Sequence, residues 1–166
     1  MLIKAGGDNM SYLATDIASW FIVRNDRAIN DYGDELSILK LIKLAYYAEG
    51  CSIASDNGSL FDEKILAWEH GPVIKSIWDK YKNSANKYNL RADDSDYEAV
   101  AKISDNDQDV LEGVFDAFGV YSAWGLRNKT HDEDPWKITT NNGKKLGDEI
   151  PRALIEKYFK EHYVAA

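Results

Sequence analysis

The sequence predicts a mainly α fold: a single compact domain of about six helices with a small antiparallel β element. Three observations predict it. Apolar residues return at three- and four-residue steps through most of the chain. One stretch near residue 65 alternates instead and ends in Gly-Pro. No internal repeat or linker divides the whole. At 166 residues such a domain buries about 70% of the surface its unfolded chain exposes, enough for a self-sufficient core. Residues 1–10 read as an N-terminal tail and 11–166 as the domain.

The elements follow in order. Leu13, Ile17, Trp20, Phe21 and Ala28 form one face of a first helix, with Arg24, Asp26 and Arg27 outside and Gly33 as its breaker. Ser37 suits the N-cap of a second helix whose face runs Ile38, Leu41, Ile42, Ala45 and Ala48, ending at Gly50 or in the "SDNG" loop. From Ile65, alternating residues predict a short strand closed by Gly71-Pro72. Pro72, lacking an N–H, fits the first turn of a third helix that buries Val73, Ile74, Ile77, Trp78 and Tyr81 and fades by Asn83 to Asn86. Residues 89–103 lack a helical period, and "YEAVAKI" is expected to be the strand that pairs with Lys64 to Trp68. Ser104 and Asp107 approximate a capping box before the clearest stripe in the chain, Val110, Leu111, Val114, Phe115 and Phe118. That helix is expected to cross the centre. Ser122 caps a short helix that Pro135 stops, and beyond "TTNNGKK" a last helix turns Ile150, Leu154, Ile155, Tyr158 and Phe159 inward.

Charge narrows the function. Twenty basic against 28 acidic residues give a net charge of −8, which repels a phosphate backbone and argues against nucleic acid as the main partner. A DNA-reading helix needs a basic face, and Arg24, Arg27, Lys40 and Lys43 are too few and too mixed with acids. The lone Cys51 forms no internal disulfide and reads as a buried thiol. "MLIKAGGDNM" lacks the apolar core of a signal peptide and no apolar run is long enough to cross a bilayer, so a soluble cytoplasmic protein is expected.

"RNKTHDEDPW" (127 to 136) gathers one imidazole, three carboxylates, a hydroxyl and two cations in ten residues. Zinc needs three or four donors in a tetrahedron, but His131, Asp132, Glu133 and Asp134 are adjacent and do not face one another on a helix. His70, His162 and Cys51 lie at spacings that match no zinc signature, so no metal or other cofactor is expected. Nucleophilic catalysis would need Thr130 or Ser122 beside His131, and no nucleophile elbow, Walker loop or dinucleotide turn accompanies them. A small enzyme with His131 and Glu133 as acid and base is thus a weaker alternative. Turn chemistry explains the stretch more simply: Thr130 and Asp132 bond nearby backbone, Asp134-Pro135 extends the chain, and Trp136 anchors it. "WEHGP" has the same grammar, with Trp68 inward, His70 polar and Gly71-Pro72 starting the next element.

Between Asp93 and Asp109 stand seven carboxylates (Asp93, Asp94, Asp96, Glu98, Asp105, Asp107, Asp109) against Lys102. They read as a solvated loop and helix N-terminus. Alternatively, they make a landing face for a basic protein.

Three stretches, "LKLIKLAYYAEG" (39 to 50), "LFDEKILAWEHGPVIKSIWDKYK" (60 to 82) and "THDEDPW" (130 to 136), resemble in that order the SocA-like antitoxins, or Panacea domain, a family that includes many prophage-encoded proteins. The signature falls on Lys43, Leu44, Tyr46, Ala48 and Gly50, on Trp68, Gly71, Pro72 and Val73, and on Thr130, His131, Pro135 and Trp136. Asn128 and Lys129 depart from it, standing at places usually more apolar. The resemblance implies a mainly helical domain with a small β element and no catalytic residue. It also implies a toxin–antitoxin role: direct binding of a co-encoded protein toxin, such as a basic translation-targeting or nucleotide-handling enzyme, or its delivery to a AAA+ protease; a phage interaction protein that is not an antitoxin is a further alternative. Candidate partner-binding residues are Asp93, Asp94, Asp96, His70 and His131.

Overall fold

The computed structural model describes residues 11–28 and 35–165. The order is α1 (Ala14–Ala28), α2 (Ile38–Ala54), β1 (Ile65–Trp68), β2 (Gly71–Ile74), α3 (Lys75–Tyr81), α4 (Asp94–Ala101), α5 (Asp105–Phe118), α6 (Ala123–His131), α7 (Asp134–Thr139) and α8 (Arg152–His162). The mainly α class with a small antiparallel sheet is what the periodicity predicts. Eight helices stand among the described residues rather than about six. Gly33, the expected breaker of α1, lies outside the described residues.

The central element is α2, not α5. Every residue from Lys40 to Gly50 is buried, because α1, α3, β2, α5, α6 and α8 all pack around this helix. A helix apolar almost all round belongs in the interior, and α2 carries only three charged side chains. The stripe on α5 is the face of an outer helix: Leu111, Val114, Phe115 and Phe118 point in, while Asp109, Gly113, Asp116 and Ala117 are exposed. Ser37 caps α2 as expected, accepting from the Lys40 N–H. Gly50 does not end it. Its missing side chain makes room for α8, since a Cβ there would lie 2.3 Å from the Phe159 ring.

The expected strand partner is also corrected. β1 pairs with β2 in a tight hairpin, Ile65 opposite Ile74 and Trp68 opposite Gly71, with Glu69 and His70 as the turn. Pro72 therefore sits in a strand opposite Ala67, and α3 starts only at Lys75. The outer edge of β1 is covered by the segment before α8, with Ala67 N–H donating to Asp148 O at 2.8 Å and Ile150 N–H to Ile65 O at 2.7 Å. The "YEAVAKI" stretch is mostly helix α4, packed on α1. A capping box starts it: the Asp93 carboxylate accepts from the Asp96 N–H, and the Asp96 carboxylate from the Asp93 N–H. Four polar residues at one helix end outweighed a short β-prone run. Ser104 and Ser122 cap α5 and α6 as expected. Pro135 opens α7, at whose first turn the missing N–H costs nothing.

Candidate functional site

The two Trp-bearing corners meet. The β1–β2 turn and the α6–α7 corner close against each other and against Lys43 of α2. Trp136 Nε1 donates to the Trp68 carbonyl at 2.9 Å, and the His131 ring stacks on Trp136 with centroids 3.9 Å apart and planes 7° from parallel. Gly71 is held at φ +106°, and a Cβ there would lie 2.7 Å from Thr130 Oγ1 and 2.9 Å from Lys43 Cε. Only glycine satisfies both the backbone and the close approach. Lys43 is fully buried, and its Nζ donates to the Pro72 carbonyl at 2.9 Å. The sequence thus reads each corner as a local turn, but their real work is mutual: one lysine, one glycine and two indoles lock a hairpin to a helix corner.

Electrostatics divides the decapeptide into two sides. On one, Lys43, His70, Arg127 and His131 interact as like charges. Burial, then the Arg127 guanidinium, lowers the Lys43 amine to about 7. Burial, then Arg127, lowers His131 too, against a smaller upward pull from its hydrogen bond with the Glu69 main chain. The His131 Nε2 is buried without a hydrogen-bond partner. These features fit a neutral imidazole packed as a plate on Trp136. On the other side, Asp132, Glu133 and Asp134 act on Tyr158 of α8. Glu133 is buried and accepts from the Tyr47 hydroxyl at 2.8 Å and from the Tyr163 hydroxyl. Burial raises its carboxyl above the ordinary range despite both bonds. His131 and Glu133, two positions apart, therefore serve different sets of contacts.

A second polar cluster went unread in the sequence. Glu49, fully buried on α2, accepts from Ser59 Oγ at 2.5 Å, Leu60 N–H at 2.6 Å and Arg152 Nε at 2.8 Å. Arg152 also donates to the Phe61 and Glu63 carbonyls. The available signal was a glutamate inside the most apolar helix of the chain, a group that must find hydrogen-bond or ionic partners when buried. Cys51, beside it in sequence, has its thiol pushed up by burial to about 12, too high for a nucleophile.

The acidic segment separates likewise. Asp93, Asp94, Glu98, Asp105 and Asp109 are exposed. Asp96 is buried and accepts from Ser19 Oγ at 2.7 Å besides capping α4. Asp107 is buried and accepts from Tyr12 and Asn57 at 2.6 and 2.7 Å. Asp96 is therefore turned away from the face that Asp93 and Asp94 present, and His70 is exposed at the hairpin turn. No group of three or more His, Cys, Asp or Glu suited to a metal occurs among the described residues. Nor is any described helix long and apolar enough to cross a membrane.

A helical shell around a buried helix, pinned by a hairpin and a Thr-His/Pro-Trp corner, defines a compact domain. The family model of the SocA-like antitoxin, Panacea domain, matches residues 41–137, more than half of the chain. The protein belongs to this antitoxin-like family. No curated protein and no solved structure matches the chain. The matched span runs from α2 through the hairpin to Lys137, so it contains the whole lock formed by Lys43, Gly71, Thr130, His131 and Trp136.

Proposed function

We propose that this protein is an antitoxin that binds a co-encoded protein toxin directly and holds it inactive, using residues 11–166 as one binding domain. Membership of the SocA-like antitoxin family carries this reading. The chemistry around His131 and Glu133 is in keeping with it: one ring is stacked and desolvated, and the carboxylate is occupied by two tyrosines. Neither is arranged with the other as an acid–base pair, and no catalytic step is assigned to them. A standard interface takes about 800 Å² from each partner, and the surface of 8569 Å² supplies that from roughly a tenth of its area.

Co-expression with the product of the adjacent gene tests the reading. The toxin should arrest growth alone, be rescued by this protein, and co-purify with it at a fixed ratio. Rescue without a stable complex, with a toxin half-life that falls when this protein is present, would favour delivery to a AAA+ protease over blockade. The acidic-face version is tested by Asp94→Lys, because Asp93 and Asp96 are engaged in capping and their reversal would unfold α4 as well.

A further inference from the structure

The turn from α5 into α6 leaves an aromatic surface uncovered. Val120 is 75% exposed, Tyr121 40% and Trp124 54%. Trp124 and Arg127, three residues apart, share a face of α6, and the Arg127 guanidinium lies 4.3 Å from the Trp124 ring. From the hairpin turn, His70 reaches the same spot: its ring is 5.8 Å from Trp124, and its Nδ1 accepts from Arg127 Nε at 3.2 Å. An arginine cannot give up its proton, so Nδ1 is the acceptor, which leaves Nε2 as the donor of the His70 ring.

Arg127 differs from three of the other four arginines of this acidic chain. Arg24 pairs with Glu112, Arg91 with Asp26 and Arg152 with Glu49. Arg127 bonds His70 and Asn128 and has no carboxylate partner among the described residues. Lys43 and His131 beside it are pushed toward their neutral forms by burial and by its charge, so they do not compete for an anion. The nearest carboxylates in sequence, Asp132, Glu133 and Asp134, all act on Tyr158, and none forms an ion pair with Arg127. An uncompensated guanidinium flanked by exposed Trp and Tyr has the composition of an interface hot spot, and its charge specifies what it receives.

We infer that Trp124, Arg127 and His70 form the anchor at which the partner protein seats an acidic side chain next to an apolar one. The carboxylate bonds Arg127 and His70 Nε2, and the apolar neighbour covers Trp124 and Tyr121. The anchor rests on the antitoxin reading only for the identity of that partner.

Two measurements test it. In the first, the whole protein is titrated with the peptide acetyl-Glu-Leu-Glu-Leu-amide and its Gln counterpart while the indole N–H of Trp124 and the ring of His70 are followed by NMR. Saturable shifts are expected for the acidic peptide alone, and they should vanish in Arg127→Gln. Equal shifts with both peptides, or none, overturn the anchor. In the second, binding of the co-encoded toxin is compared across variants. Trp124→Ala and Arg127→Glu should each raise Kd about 30-fold or more, as hot-spot truncations do, with thermal unfolding unchanged. If wild type binds and both variants bind within about threefold of it, the anchor is wrong and the antitoxin reading stands. If wild type binds no such product, the antitoxin reading fails, and the peptide titration alone decides the anchor.

Discussion

Lys43 and Glu49 lie six residues apart on the same helix, both fully buried, and the fold treats them in opposite ways. Glu49 receives a cation and two further donors. Lys43 receives one carbonyl and faces other cations. A buried charge must find partners or be shed: Glu49 has its arginine, whereas the Lys43 amine, lowered to about 7, can give its proton up. The first cluster is a stabilising ion pair between α2 and the start of α8. The second is a lock between α2 and the hairpin whose charge is adjustable.

The contrast is broken most severely by Glu49→Ala. It strands Arg152 and three hydrogen bonds, and should cost about 3–5 kcal/mol, as breaking buried pairs does. Urea unfolding would show it, and a loss under about 1 kcal/mol would mean the pair is wet in solution. Gly71→Ala strikes the other cluster through packing rather than charge. A Cβ forced against Thr130 and Lys43 at positive φ should cost about 2–3 kcal/mol, and Thr130→Ser should not relieve it, because the clashing oxygen remains.

Lys43→Met sharpens the comparison. The loss of the Pro72 bond and the relief of desolvation nearly cancel, leaving stability within about 1 kcal/mol of wild type at pH 7. The pH dependence differs more. Below about 7 the lysine is protonated in folded and unfolded chains alike, and the fold bears the desolvation. Between about 7 and the ordinary value of 10.5, the unfolded chain alone keeps the proton, so stability rises with pH, by at most about 1.4 kcal/mol per unit. That rise should be smaller in Lys43→Met, as measured by unfolding at pH 7, 8 and 9. Equal slopes in the two proteins would place the titration elsewhere. The smallest change is Asp94→Lys, exposed in the first turn of α4, where loss of the favourable helix-dipole interaction costs about 0.5 kcal/mol.

Legibility followed the same physics. Helix caps at Ser37, Ser104 and Ser122 are local, and the sequence states them directly. The α4 error came from reading "YEAVAKI" by its β-prone side chains and missing the reciprocal Asp93–Asp96 cap just before it. Of the candidate partner residues, Asp93, Asp94 and His70 reach the surface, while Asp96 is inward and His131 is half-buried on Trp136. Trp124 and Arg127 were passed over because one residue in a helix carries no sign of being left uncovered.

The sequence by itself determined the mainly α class, the short β element, the family, and the positions of the two Trp-bearing corners, because periodicity, caps and turn residues act over a few neighbours. Only the tertiary structure decided that α2 is the centre and that the corners close on each other over Lys43. It alone decided that, within "RNKTHDEDPW", Arg127 and His131 act on one side while Lys129 and Glu133 act on the other. Those outcomes depend on which desolvated group finds which partner across 29 to 103 residues, and no local pattern encodes that.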